Sequence, residues 1–175
     1  VVRPKDVVSE GSEQAVPREW DLSDLYSGTG DPAIGRDLEW ARTEAEAFEG
    51  AYAGRLADLD GAGLGEAIRR FEAIIERLHR LLSYSQLHFA ADMSAGDRGR
   101  FLQDLQEQAN DISTRTLFFL LELNRLDQSV VDRQVEDPAA GRYASWIRDS
   151  RMYRPHQLDD ALEQLLHEKS VAGAA

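Results

Sequence analysis

The chain carries a histidine and a glutamate side by side near its carboxyl end, at His167 and Glu168. This pair could open the zinc-protease motif H-E-x-x-H, in which two histidines four positions apart bind the metal from one helix face. The second histidine would have to stand where the chain has Val171. Because valine has no lone pair to offer a metal, the motif fails here, and no zinc-protease site is predicted.

A second candidate for metal chemistry is the E-x-x-H spacing of Glu76 and His79. Four-helix bundles with a di-iron centre use two such motifs and two further inward-facing glutamates. The chain has no second E-x-x-H, and both residues fall beside the apolar stripe of their predicted helix. A surface pair is therefore predicted, with a metal-binding bundle as the alternative. His88 is interpreted as a buried or half-buried histidine with a structural partner.

Three arginines recur at Arg148, Arg151 and Arg154, and His156 follows them closely. Spacings of three residues place the guanidinium groups on one face near the carboxyl end of a predicted helix. In a structural interpretation they offset the helix dipole and pair with acidic neighbours. In a functional interpretation the three arginines bind carboxylates through paired hydrogen bonds. These four residues are the possible peptide contacts, and no catalytic, cofactor-binding or metal-binding residue is predicted.

The composition narrows the classes of partner. The net charge is −12 and the sequence pI is about 4.7. Such a surface repels nucleic-acid phosphates and acidic lipids. Neither nucleic acid nor membrane is therefore predicted as a partner. The absence of cysteine excludes disulfides and thiol catalysis. The longest apolar run, residues 117–121, is far shorter than the ~20 residues of a membrane span. A cytoplasmic protein is predicted.

Apolar residues recur with helical spacing from Asp31 onward, where an aspartate cap precedes a proline and predicts a helix over residues 32–53. Two longer helices of matched length follow, at about 64–92 and 98–126. A short turn joins them, so they are predicted to form a long antiparallel hairpin. The glycine-rich stretch 61–65 follows no strand, which argues against a dinucleotide loop and indicates a linker into the helix.

Shorter helices are predicted beyond the hairpin, at 129–136 and 139–153, and a last one near Asp160, which with Glu163 makes a D-x-x-E start. No stretch alternates with the period of two that marks a half-buried strand. The predicted fold class is all-α, a bundle of five to six helices built around the antiparallel hairpin.

The domain organisation predicted from the sequence is simple. Residues 1–19 lack periodicity and are expected to be a flexible extension, and residues 20–175 are expected to be one helical domain. At its start, Leu22, Leu25 and Tyr26 share one face of a helical turn. They are predicted to clasp the bundle.

Short motifs follow one another from about residue 20 to the end of the chain. They are Trp20-Asp21-Leu22, Asp24-Leu25-Tyr26, Asp31-Pro32, Phe48, Tyr52-Ala53-Gly54-Arg55-Leu56, Leu81, Tyr84, Gln86-Leu87, Ala90-Ala91-Asp92, Arg154-Pro155-His156-Gln157-Leu158 and Glu163-x-Leu165-Leu166-x-x-Lys169-Ser170. Their order and spacing resemble the N-terminal region of oligoendopeptidase F, a member of the thimet-oligopeptidase-like zinc metallopeptidases.

The resemblance implies where catalysis takes place. In this family the H-E-x-x-H motif lies downstream in a catalytic domain that the chain lacks, while His167 and Glu168 fall in the E-x-L-L-x-x-K segment. Zinc would be bound by that absent domain, no cofactor is expected in this chain, and the chain alone is predicted to be inactive. The expected partners are the missing catalytic domain and the oligopeptide substrate of the full-length enzyme.

The resemblance also implies a role for the helical domain. In the family it walls one side of a deep channel that admits short peptides and excludes folded proteins. The predicted function is therefore the N-terminal helical domain of an oligoendopeptidase F-like zinc metalloendopeptidase that hydrolyses short peptides. The alternative is a stand-alone helical module that binds a peptide or protein through the arginine face.

Overall fold

The computed structural model describes residues 21–152 and 158–170, except for the side chains of residues 160, 161 and 170. Within these ranges there is no strand, and the predicted all-α class is confirmed. None of the described helices is long and apolar enough to span a bilayer. The helices are α1 (Pro32–Tyr52), α2 (Gly61–Ala91), α3 (Gly96–Arg125), α4 (Gln128–Val135), α5 (Pro138–Gly141), α6 (Ala144–Arg151) and α7 (Asp160–Ser170), with a short 3-10 turn at Leu56–Asp58.

Helix α1 begins and ends as its sequence predicts. The Asp31 side chain accepts a hydrogen bond from the backbone N–H of Ala33 at 2.8 Å, and Pro32 occupies the first turn. Beyond the last turn, Gly54 adopts a φ of +73°, a left-handed conformation that glycine adopts without strain. The helix buries a face with helical spacing that includes Ile34, Ala41, Ala45 and Phe48.

Helices α2 and α3 form the predicted antiparallel hairpin. Tyr84 meets Phe101 near the turn, with ring centroids 6.1 Å apart, and Phe71 meets Phe119 far from the turn at 5.0 Å. Phe48 of α1 lies 5.2 Å from Phe119, so α1 closes a three-helix core over the hairpin. The core therefore forms where the apolar stripes of these three helices meet.

The glycine-rich stretch is not the linker that its composition suggested. Helix α2 already begins at Gly61, and Asp60 caps it by accepting a backbone N–H of its first turn. A Cβ atom on Gly61 would lie 2.3 Å from the carbonyl oxygen of Gln134, and one on Gly65 would lie 2.5 Å from the carbonyl of Ala139. The two glycines lie about one helical turn apart on the same face of α2. Because they have no side chains, α4 and α5 can pack directly against this face.

The single helix predicted over residues 139–153 is also wrong, because the chain forms α5 and α6 there with a break between them. Tyr143 leaves the helical conformation at φ −99° and ψ 4°. On one side of the break Ala140 is buried where α5 packs on α2, and on the other Ile147 is buried where α6 meets α3. One straight helix could not serve both contacts, so packing overrides the local helical preference.

Helix α7 starts from a cap one residue earlier than predicted. The side chain of Asp159 accepts the backbone N–H of Leu162 at 3.0 Å, and the Glu163 carboxylate accepts the N–H of Leu158 at 2.9 Å. The carbonyl of Asp159 already accepts the N–H of Glu163, which makes Asp159 the N-cap and Asp160 the first helical residue.

The turn before α1 clasps the bundle, as predicted, through its aromatic residue. Tyr26 is buried and donates a hydrogen bond of 2.7 Å from its hydroxyl to the carboxylate of Asp37 on α1. Arg77 of α2 donates to the same carboxylate at 2.5 Å. Arg80 lies over the Tyr26 ring and donates to the carbonyl of Leu25 at 2.7 Å. The buried carboxylate of Asp37 on α1 therefore links this helix to the preceding turn and to α2.

Candidate functional site

The histidine of the incomplete zinc motif is held by a helix contact. His167 is half-buried, and its Nε2 atom lies 2.9 Å from the hydroxyl oxygen of Ser113 on α3. Glu168 is exposed, and Val171 lies outside the described residues. Over residues 21–152 and 158–170, no three His, Asp or Glu side chains are grouped so that they could hold a metal ion. The described residues therefore do not fit a zinc site.

The remaining histidines differ in their surroundings. Glu76 and His79 are both exposed on α2, as predicted for a surface pair. His88 is half-buried and stacks on Tyr84, with ring centroids 5.8 Å apart and an interplanar angle of 11°. Burial and the positive charge of Arg98 lower the pKa of the His88 ring. Both effects favour the neutral form of the ring.

The two described arginines of the arginine face differ: Arg151 has a structural role, and Arg148 is exposed to solvent. Arg151 donates to the carbonyl oxygens of Leu123 and Leu126, the second at 2.8 Å, and these are orphan acceptors at the carboxyl end of α3. Arg148 is exposed and contacts the neighbouring carboxylate of Asp149 at 3.1 Å. Arg154 and His156 lie outside the described residues. The structural interpretation therefore accounts for Arg151, and the surface guanidinium is that of Arg148.

A shallow groove of about 520 Å³ lies between α4 and α6 beside these arginines. Its floor is apolar, because Val131 and Ile147 are buried there. Its rim carries the positive charge of Arg148, the negative charge of Asp132 and the flexible thioether of Met152. Such a surface can bind an apolar side chain next to a carboxylate, and of these two only carboxylate binding is predicted for the arginine face from the sequence.

We expect the substitution Arg151→Met to lower the free energy of unfolding by about 1–2 kcal/mol, because it removes charged donors from the last carbonyls of α3 and retains most of the apolar stem. Arg148→Met is the matched control, since it removes an exposed guanidinium and should change stability by less than about 0.5 kcal/mol. Urea titrations of both variants measure the difference. Equal destabilisation would contradict the cap assigned to Arg151.

Helix α7 turns its leucines toward solvent. Its polar side contacts α3, where His167 meets Ser113 and where Gln164 lies in a cleft with Leu117 and Phe118. The opposite side is apolar and between 45% and 55% exposed. This surface, here called the leucine face, consists of Leu162, Leu165 and Leu166 of α7, together with the exposed Leu158 just before the helix. An amphipathic helix normally buries its apolar side, so the leucine face is a surface that a partner could cover.

The comparison with protein families identifies the carboxyl-terminal part of the chain. Residues 122–175 match the family model described as Oligopeptidase F, which represents the Peptidase M3 N-terminal domain. The predicted resemblance is confirmed. No curated protein and no solved structure matches the chain. The part matching oligopeptidase F begins in the last turn of α3 and includes α4 to α7, so both the groove and the leucine face lie within it.

Proposed function

We propose that this chain is the N-terminal helical domain of an oligopeptidase F-like zinc metallopeptidase that hydrolyses short peptides. In this proposal the domain walls one side of the substrate channel, and zinc and the catalytic residues belong to a separate domain. The described residues provide no zinc site of their own. The contribution of this chain is therefore to exclude folded proteins and to position peptides, and the catalytic step takes place elsewhere.

The observation that carries the proposal is the position of the leucine face inside the matched segment. The match ties residues 122–175 to the N-terminal domain of a peptidase. Four leucines in that segment are about half exposed, although burial of a leucine side chain is worth about 1.5–3 kcal/mol. A domain that packs against a second domain would leave such a face open when it stands alone. We therefore assign the leucine face to the contact with the catalytic domain.

The decisive experiment is to determine the intact mass of the natural polypeptide with an antibody against this segment. The proposal expects a mass far above 19.6 kDa, bound zinc, and cleavage of a quenched fluorescent oligopeptide that a chelator abolishes. It also expects a folded protein of similar sequence to resist cleavage, because the channel excludes it. A natural polypeptide of about 19.6 kDa without zinc would overturn the peptidase assignment.

The leucine face can be tested in this chain directly. The double substitution Leu162→Ser and Leu166→Ser is expected to reduce binding of a fluorescent dye that reports exposed apolar surface, while unfolding stability changes by less than about 1 kcal/mol. Met93→Ser is the matched control, because Met93 is 71% exposed at the hairpin turn, far from α7. In the full-length enzyme the same double substitution should weaken the contact with the catalytic domain and lower peptidase activity. Unchanged dye binding and unchanged activity would together contradict the assignment.

The groove between α4 and α6 supports an alternative function, a stand-alone module that binds a peptide or protein. The exposed guanidinium of Arg148 beside an apolar floor fits a peptide that carries a carboxylate next to an apolar side chain. Calorimetry with an acidic peptide and its amidated counterpart tests this role. Two results together would favour the module over the peptidase domain. The acidic peptide would bind to the wild type but not to Arg148→Ala, and the natural polypeptide would have a mass of about 19.6 kDa.

A further inference from the structure

A second polar pocket lies at the opposite end of the molecule, where the turn before α1 meets the tip of the hairpin. It has a volume of about 450 Å³. Tyr84 and His88 of α2, Arg98 of α3 and Leu22 and Tyr26 of the turn form its main walls. It therefore combines three polar groups that can donate hydrogen bonds with an apolar side, and it is distinct from the groove and from the leucine face.

Arg98 brings to this pocket a positive charge that forms no direct ion pair within the described residues. Its guanidinium is half-buried and donates one hydrogen bond of 3.0 Å to the carbonyl of His88, at the carboxyl end of α2. Within the described part of the chain it makes no ion pair. In a protein of net charge −12, an arginine without a carboxylate partner has its remaining donors free for a ligand.

Two acidic residues near the pocket, one of which lines it, accept hydrogen bonds within their own turns. Asp21 accepts the backbone N–H of Ser23 at 3.0 Å. Asp92 accepts the backbone N–H and the hydroxyl of Ser94, the latter at 2.6 Å. These bonds lower the pKa of both carboxylates and favour their ionised forms, which repel a doubly charged anion more strongly than a singly charged one, and the charge of Arg98 contributes to the lowered pKa of Asp92. A singly charged anion is the better match.

Tyr84 and His88 add two fixed polar groups. Tyr84 is only 2% exposed, its ring packs edge-on against Tyr26 at 5.2 Å, and its hydroxyl has no hydrogen-bond partner among the described residues. The His88 ring is fixed between Tyr84 and Phe101, and no residue of the described ranges bonds its ring nitrogens. Side chains held in place by packing bind a ligand with little loss of conformational entropy.

We propose that this pocket binds a carboxylate that carries a small apolar group. Arg98 supplies the charge, the Tyr84 hydroxyl and the His88 ring supply further hydrogen bonds, and Leu22 and Tyr26 contact the apolar group. The site uses none of the residues assigned to the peptidase contact, so it stands whether or not the peptidase role does. Two sources of this chemistry are the carboxyl terminus of a peptide and a small free carboxylic acid.

The test is an NMR titration of the whole chain with N-acetyl-L-leucine, followed through the ring signals of His88 and Phe101. Saturable shifts are expected with this carboxylate, and at least about tenfold weaker binding with N-acetyl-L-leucinamide, which lacks the charge. Titration with 4-methylpentanoate separates the two sources. Weaker binding of 4-methylpentanoate identifies a peptide terminus, and equal binding identifies a free acid. Equal binding of the amide, or no saturable shift with any carboxylate, would overturn the proposal.

Variants connect the shifts to the pocket. Arg98→Gln should weaken binding of N-acetyl-L-leucine by at least about tenfold, and Arg100→Gln, an exposed arginine two residues away on α3, should leave it unchanged. Tyr84→Phe removes the hydroxyl alone and keeps the packed ring, so it tests the site even if Arg98→Gln loosens the hairpin tip. Binding unchanged in both Arg98→Gln and Tyr84→Phe would place the ligand elsewhere and refute the site.

Discussion

The substitution Gly65→Ala is expected to destabilise the protein by about 3 kcal/mol, although alanine is the better helix former by about 1 kcal/mol. The new methyl group would lie 2.5 Å from the carbonyl carbon and oxygen of Ala139 and 2.8 Å from its Cβ atom. These are backbone or rigid atoms, so α5 would have to move away from α2. Chemical denaturation followed by circular dichroism measures the loss.

The control for this prediction is a helical glycine with open space around it. A Cβ atom on Gly35 of α1 would meet nothing within 4 Å, so Gly35→Ala should be neutral or stabilise the protein by up to about 1 kcal/mol. The two substitutions are chemically identical and should have opposite signs. A stabilising effect of Gly65→Ala would mean that α5 does not pack on α2 as described.

The substitution Asp37→Ala is expected to cost about 3 kcal/mol of unfolding free energy. Asp37 is 7% exposed, and its loss leaves the buried hydroxyl of Tyr26 without an acceptor and Arg77 without its partner. Because Arg77 is itself partly exposed, most of the cost falls on Tyr26. A double-mutant cycle with Tyr26→Phe measures the coupling, which should reach about 1 kcal/mol or more. Additive effects would contradict this interpretation.

The same carboxylate makes stability depend on acid pH. Burial raises the pKa of Asp37, but the hydrogen bonds from Tyr26 and Arg77 and the charges of Arg77 and Arg80 lower it by more, and it falls below its ordinary value of 3.8. Its contribution is therefore complete above pH 3.8 and is lost as the pH falls through the lower pKa of the folded state. The stability difference between the wild type and Asp37→Asn should shrink below about pH 4.

The periodicity of apolar residues was sufficient to predict the hairpin and the buried face of α1. It did not locate the break at Tyr143, because the break depends on two neighbours, α2 and α3, that are distant in sequence. The prediction of a linker at Gly61 and Gly65 is wrong for a related reason. Composition suggests a linker, but their spacing of four places both on one helix face, and that spacing was the available signal for close helix packing.

The candidate sites were less predictable than the fold. Arg148 and Arg151 share a helix face in the sequence pattern, but which of them caps α3 depends on tertiary distances that spacing does not contain. In the sequence, Asp37 looks like one more surface charge of an acidic chain. Its position three residues after Ile34, on the face that α1 buries, was the signal that a paired charge lies in the interior.

The polar interface between α7 and α3 has a consequence for the cooperativity of the chain. The hairpin and α1 bury apolar side chains together in two clusters, whereas α7 contacts α3 through pairs such as His167 with Ser113 and leaves its leucines about half exposed. Regions with few buried apolar contacts open at lower free energy than the global transition. We therefore expect two levels of local stability, with slow amide exchange in the hairpin and faster exchange in α7, which would open while the rest stays folded.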